Sequence, residues 1–374
     1  ALLPMLFVIP FVGWVLKQED YVEDTIVLLK SRLKSSRTFF GTLMFMTQII
    51  SFFLLFGSIV VVYQIVQTFL KEKDSPTWKD FKATAILRGF AFTTIWVVSM
   101  ASFAYTVEVM DAPLMTTFIQ GLLVSVVGIF IAMIHLFLYE KKHKINFSKE
   151  IEETISKVAR NVEDKENSYR NPIEFLVLFL TLVGMTFFFN WLLPIGLLSV
   201  IPLVVIIWVF AYFLMKRKWK VLFKEGKQYL TKGIASSAQQ WSLLLAVGLL
   251  IVALDISGIS EAVMQGVYHW TEDTLGLNFL WVLPIIVLLL GFIGVGPLSV
   301  TVLISGILLS IYLPYDPEII VLAMTLGSAL SVLLSPLIIP SILLSSVTGR
   351  STFENSFLSN RKFAIVIYFV VEFY

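Results

Sequence analysis

The chain has no cysteine and only three histidines, none of them in a metal-ligand spacing. Disulfides, thiolate nucleophiles and thiolate metal sites are thereby excluded, and the redox compartment leaves no trace in the sequence. Charge is scarce as well: 14% of the 374 residues are charged, against about 25% in soluble domains. With 57% hydrophobic residues and a mean hydropathy of +0.87, an ordinary soluble globule is excluded. The apolar runs hold no HExxH, no paired-Asp motif and no nucleophile–base pair, so a membrane-embedded enzyme is not expected. Nucleic-acid binding is not expected either, because membrane topology and anionic lipid headgroups account for the basic clusters.

What is present is a series of long apolar segments, centred on 1–16, 38–70, 84–108, 112–139, 173–193, 194–215, 234–256, 277–313, 318–346 and 363–374. Several exceed the roughly 20 residues that cross about 30 Å of hydrocarbon, and only closed backbone hydrogen bonding survives there. An all-α polytopic membrane protein follows. All 28 Lys and Arg fall within 17–37, 71–88, 141–170, 216–232 and 350–362. The connections 109–113, 192–194, 257–276 and 313–318 have none, and Glu108, Asp111, Asp255, Glu261, Glu272, Asp273, Asp316 and Glu318 gather at or beside them. The positive-inside rule makes the first set cytoplasmic and the second external, in a bacterial or archaeal cytoplasmic membrane. The chain opens in the apolar stretch Leu2 to Leu16 without a basic n-region, so it does not read as a signal peptide. It stops at Tyr374 inside another apolar run, and both ends are expected to be incomplete.

Two segments conflict with one-helix spans. Segment 38–70 carries no charge yet has basic loops on both sides, and as a single helix it would be about 50 Å long. A re-entrant helical hairpin is expected, with its tip around Phe56, Gly57 and Ser58. Segment 277–313 poses the same problem from the external side, interrupted by Gly291, Gly294, Gly296 and Pro297, and a second hairpin is expected there. An offset of 238, from residue 39 to residue 277, also carries 1–16 onto 239–254, 17–37 onto 255–275 and 84–108 onto 322–346, aligning Gly89-Phe-Ala with Gly327-Ser-Ala. Because the hairpins have opposite flanks, the halves read as inverted-topology repeats. The expected boundaries are 1–140 for the first repeat (hairpin 38–70, broken span 84–108) and 217–374 for the second (hairpin 277–313, broken span 318–346). Between them lie a cytoplasmic helical loop, 141–172, and connector spans, 173–216. Val22, Ile26, Leu29 and Leu33 suit an interfacial helix, and Ser148 is a candidate N-cap for a cytoplasmic helix with Ile151, Ile155, Val158 and Val162 on one face. Inverted repeats with discontinuous helices near the bilayer midplane are a recurrent plan of secondary transporters.

This order of scaffold span, interfacial helix, hairpin, broken span and span, repeated upside down, resembles the ion transporter superfamily. That group includes the divalent-anion/sodium symporters, the arsenite-type antiporters and the large membrane subunits of TRAP transporters. The resemblance implies that hairpin tips and helix breaks form substrate and Na⁺ sites, that transport is elevator-like, and that the assembly is a homodimer. By position it points to Gly57 and Ser58 at the first tip and to Gly294, Gly296, Pro297 and Ser299 at the second. From the broken spans it points to Thr93, Thr94, Ser99 and Ser102, and to Ser335, Pro336, Pro340 and Ser341. Neither tip carries the Ser-Asn-Thr signature of the superfamily's dicarboxylate transporters, a departure that counts against a citrate- or succinate-type specificity.

Broken helices present free N–H groups to anions and free carbonyls to Na⁺, with Ser and Thr hydroxyls completing either site. Such a site needs no Lys or Arg, and none is expected near the membrane centre. The same small residues also suit plain helix packing. The larger polar residues in the spans are Gln48, Gln64, Gln67, Gln120, His135, Asn190, Gln239, Gln240 and Glu372, with His135 near the cytoplasmic interface. The absence of a proton-relay carboxylate favours Na⁺ over H⁺. The expected function is secondary active transport of a small anionic solute. A translocase for a lipid-linked or amphiphilic anion is the alternative.

Overall fold

The computed structural model describes residues 2–21, 24–25, 35–70, 75–152 and 170–373. Among them there are helices and no strand, and six helical stretches are long and apolar enough to cross a membrane, so the protein is an all-α polytopic membrane protein. In chain order the helices are α1 (Leu2–Leu16), α2 (Ser36–Leu54), α3 (Gly57–Phe69), α4 (Pro76–Trp96), α5 (Ala101–Val109), α6 (Leu114–His143), α7 (Arg170–Leu192) and α8 (Leu197–Met215). There follow α9 (Trp219–Gln228), α10 (Ile234–Ile256), α11 (Ile259–His269), α12 (Phe279–Phe292), α13 (Pro297–Leu308), α14 (Pro317–Leu334), α15 (Ile339–Thr348) and α16 (Ser359–Glu372).

Local chemistry sets the ends of these helices. Ser35 Oγ accepts from Thr38 N at 3.2 Å to start α2, and Ser75 caps α4 ahead of Pro76, whose missing N–H costs nothing in a first turn. Asn278 Oδ1 accepts from Leu280 N at 2.8 Å to start α12, and Gly349 ends α15 with φ +68°. The α2–α3 reversal comes at Leu55 and Phe56, just before Gly57. Leu55 takes a positive φ of +49° with ψ −127°, while Gly57 begins the next helix. The α12–α13 reversal spans 293–296, with Gly294 at φ +98°.

Helix α4 lies at the centre of the bundle. The most apolar window of the stretch Pro76–Val109 is 89% buried, against 33% for α6 and 28% for α7, whose remaining apolar surface faces lipid. Two glycines let the central helices touch at the backbone. A Cβ on Gly89 would meet the Met44 carbonyl oxygen of α2 at 2.6 Å, and one on Gly327 of α14 would meet that of Pro284 in α12 at 2.6 Å. Helices α4 and α14 pack on each other, α5 packs on α13, and α15 packs on α3.

The basic regions are joined to one another. Lys218 pairs with Glu19 at 2.9 Å and Lys216 with Glu174 at 2.7 Å. Arg350 pairs with Asp80 at 2.7 Å, Trp78 Nε1 donates to Glu150 at 3.0 Å, and Ser36 N donates to Ser148 Oγ at 2.9 Å. The acidic connections likewise meet their own kind: Leu198 N donates to Glu108 at 2.5 Å, and the Tyr315 hydroxyl donates to Glu272. Burial and the bond to Glu272 push the Tyr315 phenol well above its ordinary range.

Two readings need correction. The stretch 71–88 is not a loop throughout, because α4 begins at Pro76 and carries Lys82 and Arg88 into the protein, each at most 4% exposed. Buried cations need partners. Lys82 Nζ donates to Gln67 Oε1 at 2.5 Å, and Arg88 Nε donates to Asn360 Oδ1 at 2.9 Å with its guanidinium 4.3 Å from the Phe363 ring centre. Ser148 is not the N-cap of the cytoplasmic helix. That helix starts at Phe147, and Asn146 Oδ1 accepts from Lys149 N at 3.1 Å. Val22, Ile26, Leu29, Leu33, Ile155, Val158 and Val162 lie outside the described residues.

Candidate functional site

Both broken spans unwind for four residues. α4 ends with Val97 extended (φ −76°, ψ 109°), and α5 restarts after Met100, also extended (ψ 114°). α14 ends with Ser335 extended (ψ 125°), and α15 restarts after Ile338 (ψ 157°). Each break carries one serine that ties it to the preceding hairpin. Ser99 Oγ donates to Phe52 O at 2.8 Å, and Ser335 Oγ donates to Phe292 O at 3.1 Å. These bonds satisfy carbonyls left free at the ends of α2 and α12, and so lock break to tip.

A cavity of about 490 Å³ opens beside the first break. That size lies within the range of about 300–1,000 Å³ usual for small-molecule sites. Gly57 and the preceding residues Phe53, Leu54, Leu55 and Phe56 line it from the first tip. Thr94, Ser99, Met100 and Ser102 line it from the first broken span, and Pro297 and Leu298 from the start of α13. The remaining wall is α1, through Leu6, Ile9 and Trp14, together with a π-helical turn, Tyr229–Gly233, between α9 and α10. The Tyr229 hydroxyl donates to Phe7 O at 2.9 Å and holds those two walls together.

The expected residues divide accordingly. Gly57, Thr94, Ser99, Ser102 and Pro297 share the cavity. Ser58 and Thr93 do not line it: Ser58 Oγ donates to Leu55 O at 2.7 Å, and Thr93 Oγ1 donates to Phe90 O at 2.5 Å. Ser341 Oγ, in the first turn of α15, donates to Ser335 O at 2.6 Å, so Ser335 in the second break and Ser341 just beyond it are both spent on closing the break. Gly294, Gly296, Ser299, Pro336 and Pro340 also lie off the cavity lining. Thr94 Oγ1 donates to Ala91 O at 2.8 Å. Among the described residues the hydroxyl of Ser102 makes no hydrogen bond, so of the lining hydroxyls it is available to a ligand.

Two further residues shape the site from outside the predicted set of site residues. Lys17 is the one charged residue of the lining; its side chain is 60% exposed, with Glu225 at 3.8 Å. Gln48 reads as a lone polar residue in α2, yet its Oε1 accepts from Trp96 Nε1 and Ser125 Oγ, both at 2.6 Å. It thereby clamps α2 and α6 to the end of α4, next to the break.

Electrostatically, the cavity receives the N-terminal ends of α5 and α13, helices drawn from opposite halves of the chain. Unpaired N–H groups and the positive ends of the helix dipoles favour an anion there. No curated protein matches the chain. The profile of the DcuC family, C4-dicarboxylate anaerobic carriers, matches residues 83–343, well over half of the chain and including both helix breaks. The protein is thus a transporter of an anionic solute rather than an enzyme, and it belongs to the C4-dicarboxylate anaerobic carrier family.

Proposed function

We propose that this chain is a secondary active transporter of C4-dicarboxylates that binds the dianion in the cavity beside the first helix break and exposes it alternately to the two sides of the membrane. The observation that carries the site is the convergence of the α5 and α13 N-termini on a cavity holding the free Ser102 hydroxyl. One carboxylate would take the N–H groups at the start of α5 with Ser102, and the other those at the start of α13 beyond Pro297. Lys17 would raise the local concentration of the dianion at the mouth without entering the binding bonds. The carbonyl ends of α4 and α14 are the natural ligands for a co-transported Na⁺.

The correspondence between the halves supports two inverted repeats and a place in the ion transporter superfamily. Gly89 and Gly327 make the same backbone approach, and Ser99 and Ser335 tie equivalent breaks to equivalent tips. The half-helix after each break packs on the second helix of the opposite hairpin. In an elevator movement that coupled unit, with α6 clamped to it by Gln48, would slide against α7 and α8. The linked basic regions then form the cytoplasmic face.

Uptake into proteoliposomes tests the reading. Accumulation of labelled succinate under an inward Na⁺ gradient, competed by fumarate but not by a monocarboxylate, is expected. Failure of succinate to enter or exchange under any imposed gradient would end it, and uptake driven by a proton gradient alone would replace Na⁺ by H⁺ as the coupling ion.

A further inference from the structure

A second cavity, of about 640 Å³, lies between the start of α4, the end of α6 and the segment 350–362, and shares no lining residue with the first. Its walls carry Arg88, Lys142, Arg350, Arg361 and Lys362, with Asp80 as the one carboxylate. Asp80 is already engaged, accepting from Arg350 at 2.7 Å and from the Ser359 hydroxyl at 2.5 Å. His135 and His143 also face the space. Lys142, Arg361 and Lys362 have no ion-pair partner among the described residues.

Arg88 forms the floor. It is 4% exposed, and its hydrogen bonds go to neutral acceptors, Asn360 Oδ1 at 2.9 Å from Nε and Ser359 O at 3.2 Å from Nη2. Its Nη1 makes no hydrogen bond among the described residues, and Arg88 lines the cavity. Asn360 is held in turn, donating to Asn355 O at 2.9 Å and Ser356 O at 3.0 Å, so the guanidinium is fixed in place. A buried guanidinium hydrogen-bonded only to neutral acceptors, whose one nearby carboxylate is already taken by Arg350 and Ser359, sits with the unpaired Lys142, Arg361 and Lys362 around a space that suits an oxyanion. The rim is apolar and exposed: Leu138 is 57% and Leu358 44% accessible, on the side where α6 presents Ile134 and Phe137 outward.

We propose that this cavity is an anion site for the phosphate headgroup of an acidic phospholipid, with the acyl chains lying along Leu138 and Leu358. Charge and rim point to the same ligand. A soluble oxyanion would satisfy the cations but would leave the apolar rim unused, whereas a lipid satisfies both and is supplied by the membrane in which α6 sits. Bound there, the headgroup would fasten α4, whose far end forms the first helix break, to α6 and to the segment 350–362.

The test is the thermal unfolding temperature of the purified protein in micelles doped with phosphatidylglycerol, phosphatidylcholine or inorganic phosphate at matched ionic strength, together with native mass spectrometry of retained lipid. Phosphatidylglycerol alone should stabilise the wild type and survive as a bound adduct. In the exposed double variant Arg361→Gln/Lys362→Gln its apparent affinity should fall by about 30-fold, from the usual contribution of a basic side chain near an anionic lipid. Arg88→Gln should lose the adduct as well, and the double variant keeps the test decisive if Arg88→Gln does not fold. Equal stabilisation by inorganic phosphate would overturn the lipid assignment. Stabilisation by phosphatidylcholine, or an unchanged affinity in the double variant, would overturn the site itself. None of these readouts depends on transport, so they stand or fall separately from the dicarboxylate reading.

Discussion

Ser102→Ala removes a hydroxyl at the start of α5 that has no partner in the described protein and lines the 490 Å³ cavity. Nothing is orphaned by the change, so the fold should keep its stability to within about 0.5 kcal/mol, as for substitutions away from structural bonds. What is lost is one hydrogen bond to a bound carboxylate, and hydrogen bonds to charged groups are worth about 1.5–3 kcal/mol. Converted at about 1.4 kcal/mol per tenfold, that is a rise of about 10- to 150-fold in the KM for succinate. Initial uptake rates in proteoliposomes across a concentration series measure it. Ser58→Ala is the matched control: its hydroxyl is buried 2.6 Å from Ser51 Oγ and donates to Leu55 O, so its loss should lower the unfolding temperature and leave KM nearly unchanged. A wild-type KM in Ser102→Ala, with folding intact, would refute the placement of the dianion at this helix start.

The lack of cysteine makes a further check direct: Ser102→Cys should react with a small thiol reagent and be protected by succinate, whereas Ser58→Cys, fully buried, should stay inert. Gly89→Ala and Gly327→Ala each drive a Cβ to 2.6 Å from a backbone carbonyl and should destabilise by about 1–3 kcal/mol, read as a lower unfolding temperature in detergent. An unchanged unfolding temperature in both would show that the helices can move apart freely. Lys17→Gln should raise the KM by about two- to fivefold at low ionic strength, a difference that salt erases because the charge is exposed. Donation from Ser351 N and Oγ, both at 2.9 Å, holds the Glu354 carboxyl below its usual value of 4.5. A carboxylate with a depressed folded-state pKa stabilises above that usual value and loses the effect as pH falls through the folded one, so wild type and Glu354→Gln should differ in unfolding temperature at pH 6, and the difference should shrink as the pH is lowered below 4.5.

The positions of the helix interruptions reflect composition. Gly294 and Pro297 mark the α12–α13 turn because the chain needs a positive φ and a helix start there. The first reversal was harder to place, since it uses Leu55, a residue with no turn preference, and the neighbouring Gly57 draws attention to itself without supplying the turn. Candidate hydroxyls were legible only as a set. Ser99, Ser102, Ser335 and Ser341 look alike in sequence, and the bonds from Ser99, Ser335 and Ser341 to carbonyls near or beyond the breaks set Ser102 apart.

By itself the sequence determined the solvent and the architecture class: its apolar run lengths and its partition of charge demand helices in lipid, because no other backbone arrangement built from these segments satisfies its own hydrogen bonds there. Tertiary structure alone decided which polar groups remain unspent. Arg88 illustrates the point, counted with a loop by its neighbours in sequence yet buried under Asn360 and Phe363, residues some 270 positions away that only packing brings to it. Burial and partnership belong to pairs of distant residues, whereas hydropathy is a property of each residue and its immediate neighbours.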